Sequence, residues 1–209
     1  MALMVAHWGS MDPQIGNLQP VLQSYWLNIH VAVIVASYGF LGLSLMLGIT
    51  NLILFIFRNQ QHRPQIDSSI LTLTAISEMS MIIGLLMLIV GTFLGGVWAN
   101  ESWGRYWGWD SKEPWSLVSI GIYACVLHVR LLKPLYLPYI FNVLSVMAFS
   151  SILMTYFGVN YYLGTGMHSY AQGEGDSINS SIFIALILTL VLFGLSFMKR
   201  KLLSSKDIH

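Results

Sequence analysis

At 209 residues, with 56% hydrophobic and 9% charged side chains and a mean hydropathy of +0.67, the chain is far from the balance of about a quarter charged that soluble domains show. That composition excludes a soluble globular enzyme, and a net charge of +1 argues against nucleic acid as a partner. What it fits is an all-α integral membrane protein.

The chain opens "MALMVAHWGSMDP", which lacks the basic start and the full apolar core of a signal peptide. "ALMVA" followed by His7 and Trp8 reads as the outer end of an earlier span. The expectation is therefore a single membrane domain over 1–209 that forms the C-terminal portion of a longer protein. The alternative is a short tail carried across without a signal.

Five apolar segments follow, near 30–57, 70–97, 115–132, 135–157 and 181–198. Each is long enough for a hydrocarbon core of about 30 Å, which takes roughly 20 helical residues. Arg58, Arg63, Arg130, Lys133, Lys199, Arg200, Lys201 and Lys206 lie at one set of ends, against only Arg105 and Lys112 at the other. Since basic residues of short loops stay inside, the C-terminus is expected in the cytoplasm. The segments 98–115 and 158–180 are then expected to share the outer face.

Within the second span, Glu78 is the one acid, about 12 Å in at 1.5 Å per residue, and intramembrane carboxylates are functional candidates by default. His128, near the same end of the next span, is a candidate partner; snorkelling or a structural hydrogen bond to a neighbouring helix fits Glu78 equally well. Cys125 is the single cysteine, so the chain has no CxxC pair and no CxxCH haem-attachment sequence. Cys125 and His128 stand at i, i+3 and share a helix face, but a lone cysteine in an apolar helix is expected to be a packing residue.

The segment "ESWGRYWGWDSKEPW" after the second span is the least ordinary part of the chain. Trp98, Trp103, Trp107, Trp109 and Trp115 are five of seven tryptophans, interleaved with Glu101, Arg105, Asp110, Lys112 and Glu113. An interfacial aromatic belt would need only scattered residues. If 103–113 is helical, Trp103, Trp107 and Asp110 share one face, with Tyr106, Trp109 and Glu113 beside them. Such a surface suits a large planar ligand carrying a few polar groups. His30 opens the first span at its outer end, and His168 follows two glycines in the second outer segment. Beside a planar-ligand surface, two imidazoles point to bis-histidine ligation of a haem. Arg105 and Lys112 are candidate partners for haem propionates, against the ordinary reading of solvated interfacial cations.

"WGRYWGWDSKE" resembles the tryptophan-rich WWD signature of the cytochrome c assembly proteins, with Trp103, Gly104, Trp107, Trp109, Asp110 and Glu113 in register. The likeness extends through "GGVWA", "YACVLHVRL", "YWLNIHVAVIVASYG" and "TYFGVNYYLGTGMHSYA", covering roughly 11–170, and is nearest to the CcsA/ResC part of the system II synthase. It implies haem b held non-covalently as substrate, passed through a membrane site to an outer site, and joined there to the CxxCH of apocytochrome c. His30 and His168 match the outer iron ligands, His128 matches a ligand of the membrane site, and Trp103, Trp107, Trp109 and Asp110 belong to the cradle. The second membrane histidine has no match in this chain, and His7 is not assigned that role.

The partners implied are a CcsB/ResB-like protein or a fused N-terminal part, a thiol-reducing system, and lipid of a bacterial cytoplasmic membrane. The resemblance further implies one component of a haem lyase, expected to be inactive alone. The same motif and histidine pair also fit a CcmC-type exporter that passes haem on without bond formation. A membrane-anchored electron-transfer cytochrome is disfavoured because its histidines would face each other within the bilayer. A solute transporter is disfavoured because only Glu78 is both deep and charged.

Overall fold

The structure, a computed structural model, describes residues 24–59, 62–132, 137–159 and 180–206, with side chains in the last stretch described over 183–199. The N-terminal "ALMVA" stretch and the segment carrying His168 lie outside the described residues.

Among the described residues five helices run in chain order: α1 Tyr25–Phe57, α2 Arg63–Trp103, α3 Lys112–His128 with a 3-10 turn over Val129–Leu131, α4 Pro138–Leu153 ending in a π turn over Met154–Gly158, and α5 Ser180–Lys206. The protein is thus an all-α, multi-pass membrane protein. Among the described residues, four helical stretches are long and apolar enough to cross a bilayer, and α5 adds the shorter apolar stretch Phe183–Lys199. At 1.5 Å per residue, the 41 residues of α2 extend about 60 Å, roughly twice the hydrocarbon thickness. Instead of stopping where hydropathy falls, near residue 97, α2 continues to Trp103. There Gly104 adopts φ 72° and returns its N–H to the Asn100 carbonyl at 2.8 Å. A left-handed residue at this position ends a helix, and glycine takes it without a Cβ clash.

Apolar residues line the outside of the bundle, while small polar residues share its inside with apolar side chains such as Leu41, Met81, Leu88 and Phe141. On α2, Ile76, Met79, Ile83, Leu86, Val90 and Phe93 form an exposed stripe at alternating three- and four-residue steps. Facing inward are Thr74, Ser77 and Ser80, all buried. This inversion is what a hydrocarbon solvent selects, since helices in lipid associate by close packing and side-chain hydrogen bonds.

Two polar tiers tie α1, α2 and α4 together. In one, the Ser44 hydroxyl lies 2.8 Å from that of Ser77 and 2.9 Å from that of Ser145. In the other, Asn51 Nδ2 donates to Asn142 Oδ1 at 2.9 Å, while Asn142 Nδ2 donates to Thr74 Oγ1 at 2.8 Å. Asn142→Ala removes both bonds, leaves Asn51 Nδ2 with only its longer bond to Thr74 Oγ1 at 3.2 Å, and is expected to cost about 1–2 kcal/mol. Thermal unfolding in detergent checks this; an unchanged midpoint would show that the tier contributes nothing.

Glycines on α2 let α1 approach closely. A Cβ at Gly84 would lie 2.7 Å from the Leu41 side chain, one at Gly91 2.6 Å from Ile34, and one at Gly95 2.7 Å from the His30 ring. These three contacts step up α2 as they step back along α1, and they carry His30 to the end of the bundle where α1 starts and α2 finishes.

Candidate functional site

A cavity of about 370 Å³ opens at the end of the bundle where α1 starts and α2 finishes. That volume falls within the range of about 300–1,000 Å³ common for ligand pockets. α1 contributes His30, Ile34 and Tyr38 to its wall, α2 contributes Thr92, Gly95, Gly96 and Trp98, and the following loop contributes Tyr106 and Trp107. Lys112, Glu113 and Ser116 of α3 complete it, together with Thr155 and Tyr156. The last two sit in the π turn of α4. Such single-turn π segments within α-helices occur frequently at functional sites. Here Thr155 Oγ1 is bound within 3.1–3.2 Å of the Ser119 hydroxyl and the Trp115 carbonyl, which fixes the turn against α3.

Three features orient His30. Its Nδ1 lies 2.7 Å from the carbonyl oxygen of Gly91. A carbonyl only accepts, so Nδ1 donates, and in the neutral ring Nε2 then holds the lone pair. The imidazole also lies nearly parallel to the Trp98 indole, 8° between planes and 6.3 Å between centroids. Trp98 is 1% exposed and in turn meets Trp103 edge-on at 4.8 Å.

The aromatic segment is not the helix considered above. Residues 105–110 form a non-helical loop between Gly104 and α3, so Trp103, Trp107 and Asp110 do not share a helical face. Glu113 closes this loop: its Oε2 accepts from the N–H of Gly108 at 2.8 Å and of Asp110 at 3.2 Å. The bracketed residue, Trp109, has φ 57°, a conformation that side-chain-bearing residues rarely adopt. Asp110 Oδ1 accepts from the Ser111 N–H at 2.8 Å. Of the sequence candidates, Trp107 therefore lines the cavity, Trp103 backs Trp98, and Trp109 is 76% exposed, meeting Trp107 edge-on at 5.8 Å. Trp98 and Tyr106 are wall residues absent from the sequence-derived set. Trp98 had been placed outside the span, whereas α2 carries it into the bundle.

The remaining candidates lie elsewhere. His168 is outside the described residues. His128 is exposed near the opposite end of the bundle, and its Nδ1 donates to the Ala124 carbonyl at 2.7 Å. It is not the partner of Glu78: Arg130, in the 3-10 turn just beyond, donates to Glu78 Oε1 at 2.7 Å. The longer arginine reaches the carboxylate from a position nearer the helix end. Cys125 also points to the bundle surface and not into its packing. Among the described residues, no three His, Cys, Asp or Glu side chains gather as a metal site. One imidazole in an aromatic-walled cavity nevertheless fits one axial ligand of a haem, with apolar surface for the macrocycle.

Residues 1–168 match the family model described as cytochrome c assembly protein. Protein NrfI of Wolinella succinogenes is 56% identical over 172 residues, 82% of this chain and 19% of that protein. The cytochrome c biogenesis protein CcsA of Chlamydomonas reinhardtii is 38% identical, over 75% of this chain and 44% of its own. The CcsA of Guillardia theta is 34% identical, over 73% and 56%. The chain thus spans about a fifth of the first relative and about half of the other two. With its family model matched over most of its length, this chain belongs to the cytochrome c assembly protein family.

Proposed function

We propose that the chain holds haem b at the outer end of its helix bundle and presents it for covalent attachment to an apocytochrome c. The observation that carries this reading is the seating of His30 in a cavity walled by Trp98, Tyr106 and Trp107. His30 supplies one axial nitrogen and His168 the other. The Trp107 indole stacks on the macrocycle, Trp98 backs the His30 imidazole, and Lys112, which lines the same cavity, neutralises a propionate. His128 belongs to a second haem position within the membrane, on the bundle's exposed flank. The basic residues Arg58, Arg63 and Arg130 at the far ends of the helices support a cavity facing the periplasmic side of a bacterial cytoplasmic membrane.

Non-covalent holding suits a cargo that must leave. The histidine of an acceptor's CxxCH replaces one axial imidazole, and the acceptor's thiols then meet the vinyl groups. Residues of the chain bind, orient and shield; the redox and thioether chemistry reside in the haem and the acceptor. A CcsB-like protein and a thiol-reducing system are the partners this requires.

The test is co-expression with a CcsB-like protein and a CxxCH reporter in cells stripped of their own maturation genes, scored for covalent haem. Trp98→Ala and Trp107→Ala are expected to lower haem occupancy several-fold each while leaving the axial ligands of the remaining haem unchanged. Each stacked aromatic contributes about 1 kcal/mol beyond area burial. Full reporter maturation by a Trp98→Ala, Trp107→Ala double variant would contradict the reading.

A further inference from the structure

Resting on the reading of His30 as an iron ligand, we propose that Gly91 and Gly95 of α2 are positioning residues that fix its tautomer and ring plane. Gly91, Gly95 and Trp98 fall at i, i+4 and i+7 and so share one face of α2. Each constrains a different freedom of the imidazole. The Gly91 carbonyl takes the Nδ1 proton at 2.7 Å, which commits the neutral ring to Nε2 as its basic nitrogen. Trp98 lies nearly parallel to the ring and limits its tilt.

Gly95 provides the space. A Cβ built there would meet Cε1 at 2.7 Å, Nδ1 at 3.0 Å and Nε2 at 3.3 Å, and these three His30 atoms are its nearest neighbours. The ring therefore lies against the bare α2 backbone, and any side chain at 95 has to push it away. A carbonyl that accepts from the far nitrogen of an imidazole ligand orients the ring and raises its basicity. In water a neutral histidine favours the other tautomer, with the proton on Nε2, so the Gly91 bond selects the minority form.

The experiment uses the haem-free chain in detergent with ring-15N-labelled histidine, the His30 signals assigned by difference from His30→Gln. In the wild type, His30 Nδ1 is expected in the protonated range and Nε2 in the unprotonated range. Gly95→Ala should reverse or mix these assignments. Gly39→Ala, where an added Cβ has nothing within 4 Å, should leave them unchanged. A thermal cycle keeps the test decisive if Gly95→Ala folds poorly: its loss in midpoint should vanish in a His30→Ala background. An Nε2-protonated His30 in the wild type, an unaltered spectrum in Gly95→Ala, or equal losses with and without His30 would overturn the proposal. If His30→Gly leaves the haem spectrum intact while the tautomer results hold, the ligand reading fails and the seat stands.

Discussion

His30→Gly should lose most of its bound haem on purification and leave the remainder with an altered axial set, and millimolar imidazole should restore a six-coordinate spectrum. The expectation follows from placement. His30 lines the cavity, its Nδ1 is committed to the Gly91 carbonyl, and a glycine at 30 leaves a ring-sized space against the bare backbone of Gly95. Free imidazole fits that space and supplies the missing nitrogen. His168→Gly should behave in the same way if it supplies the opposite ligand. His62→Gly is the control, because His62 is exposed beside Asn59 at the other end of the bundle and should change neither retention nor spectrum. Absorption spectra with and without imidazole decide the matter.

The second large effect concerns stability. Arg130→Ala should destabilise the bundle by about 2–3 kcal/mol, since removing one partner of a sheltered ion pair leaves an uncompensated charge, with the loss moderated because the arginine is partly solvated. Glu78→Gln should cost under about 1 kcal/mol, because an amide oxygen still accepts a hydrogen bond and little charge is stranded. The asymmetry comes from exposure: the Glu78 side chain is 13% accessible and that of Arg130 61%. Unfolding midpoints in detergent for the two variants, compared side by side, check it. Equal losses, or a larger one for Glu78→Gln, would show that the pair is not held together by the buried carboxylate.

Hydropathy found the helices because a hydrocarbon solvent imposes a length, but it did not find where they end. The stop of α2 is set by Gly104 in a left-handed conformation, six residues beyond the apolar run. That shift carried Trp98 from a supposed loop into the bundle and against His30. Likewise the charge and aromatic density of 101–115 located the site, while the helical spacing considered for it was displaced by local chemistry. Glu113 binds two backbone N–H groups of the loop, and Trp109 takes a conformation that spacing alone cannot reveal.

The pairing of Glu78 with Arg130 was missed because a helical count favours His128, two residues closer, and ignores the reach of an arginine. The polar tiers had a legible trace: Ser37, Ser44 and Asn51 recur every seven residues in α1, the spacing of a packed seam. The seat of His30 was written in Gly91 and Gly95, yet its meaning depended on α1 crossing there, which no local pattern encodes.

The most direct measurement is the absorption and electron paramagnetic resonance spectrum of haem bound to a folded His30→Gly, His168→Gly double variant, with and without imidazole. The account predicts loss of the bis-imidazole signature and its return when imidazole is added. An unchanged signature in the variant without imidazole would remove both histidines as ligands and reduce the tryptophan-lined cavity to a feature of the membrane interface.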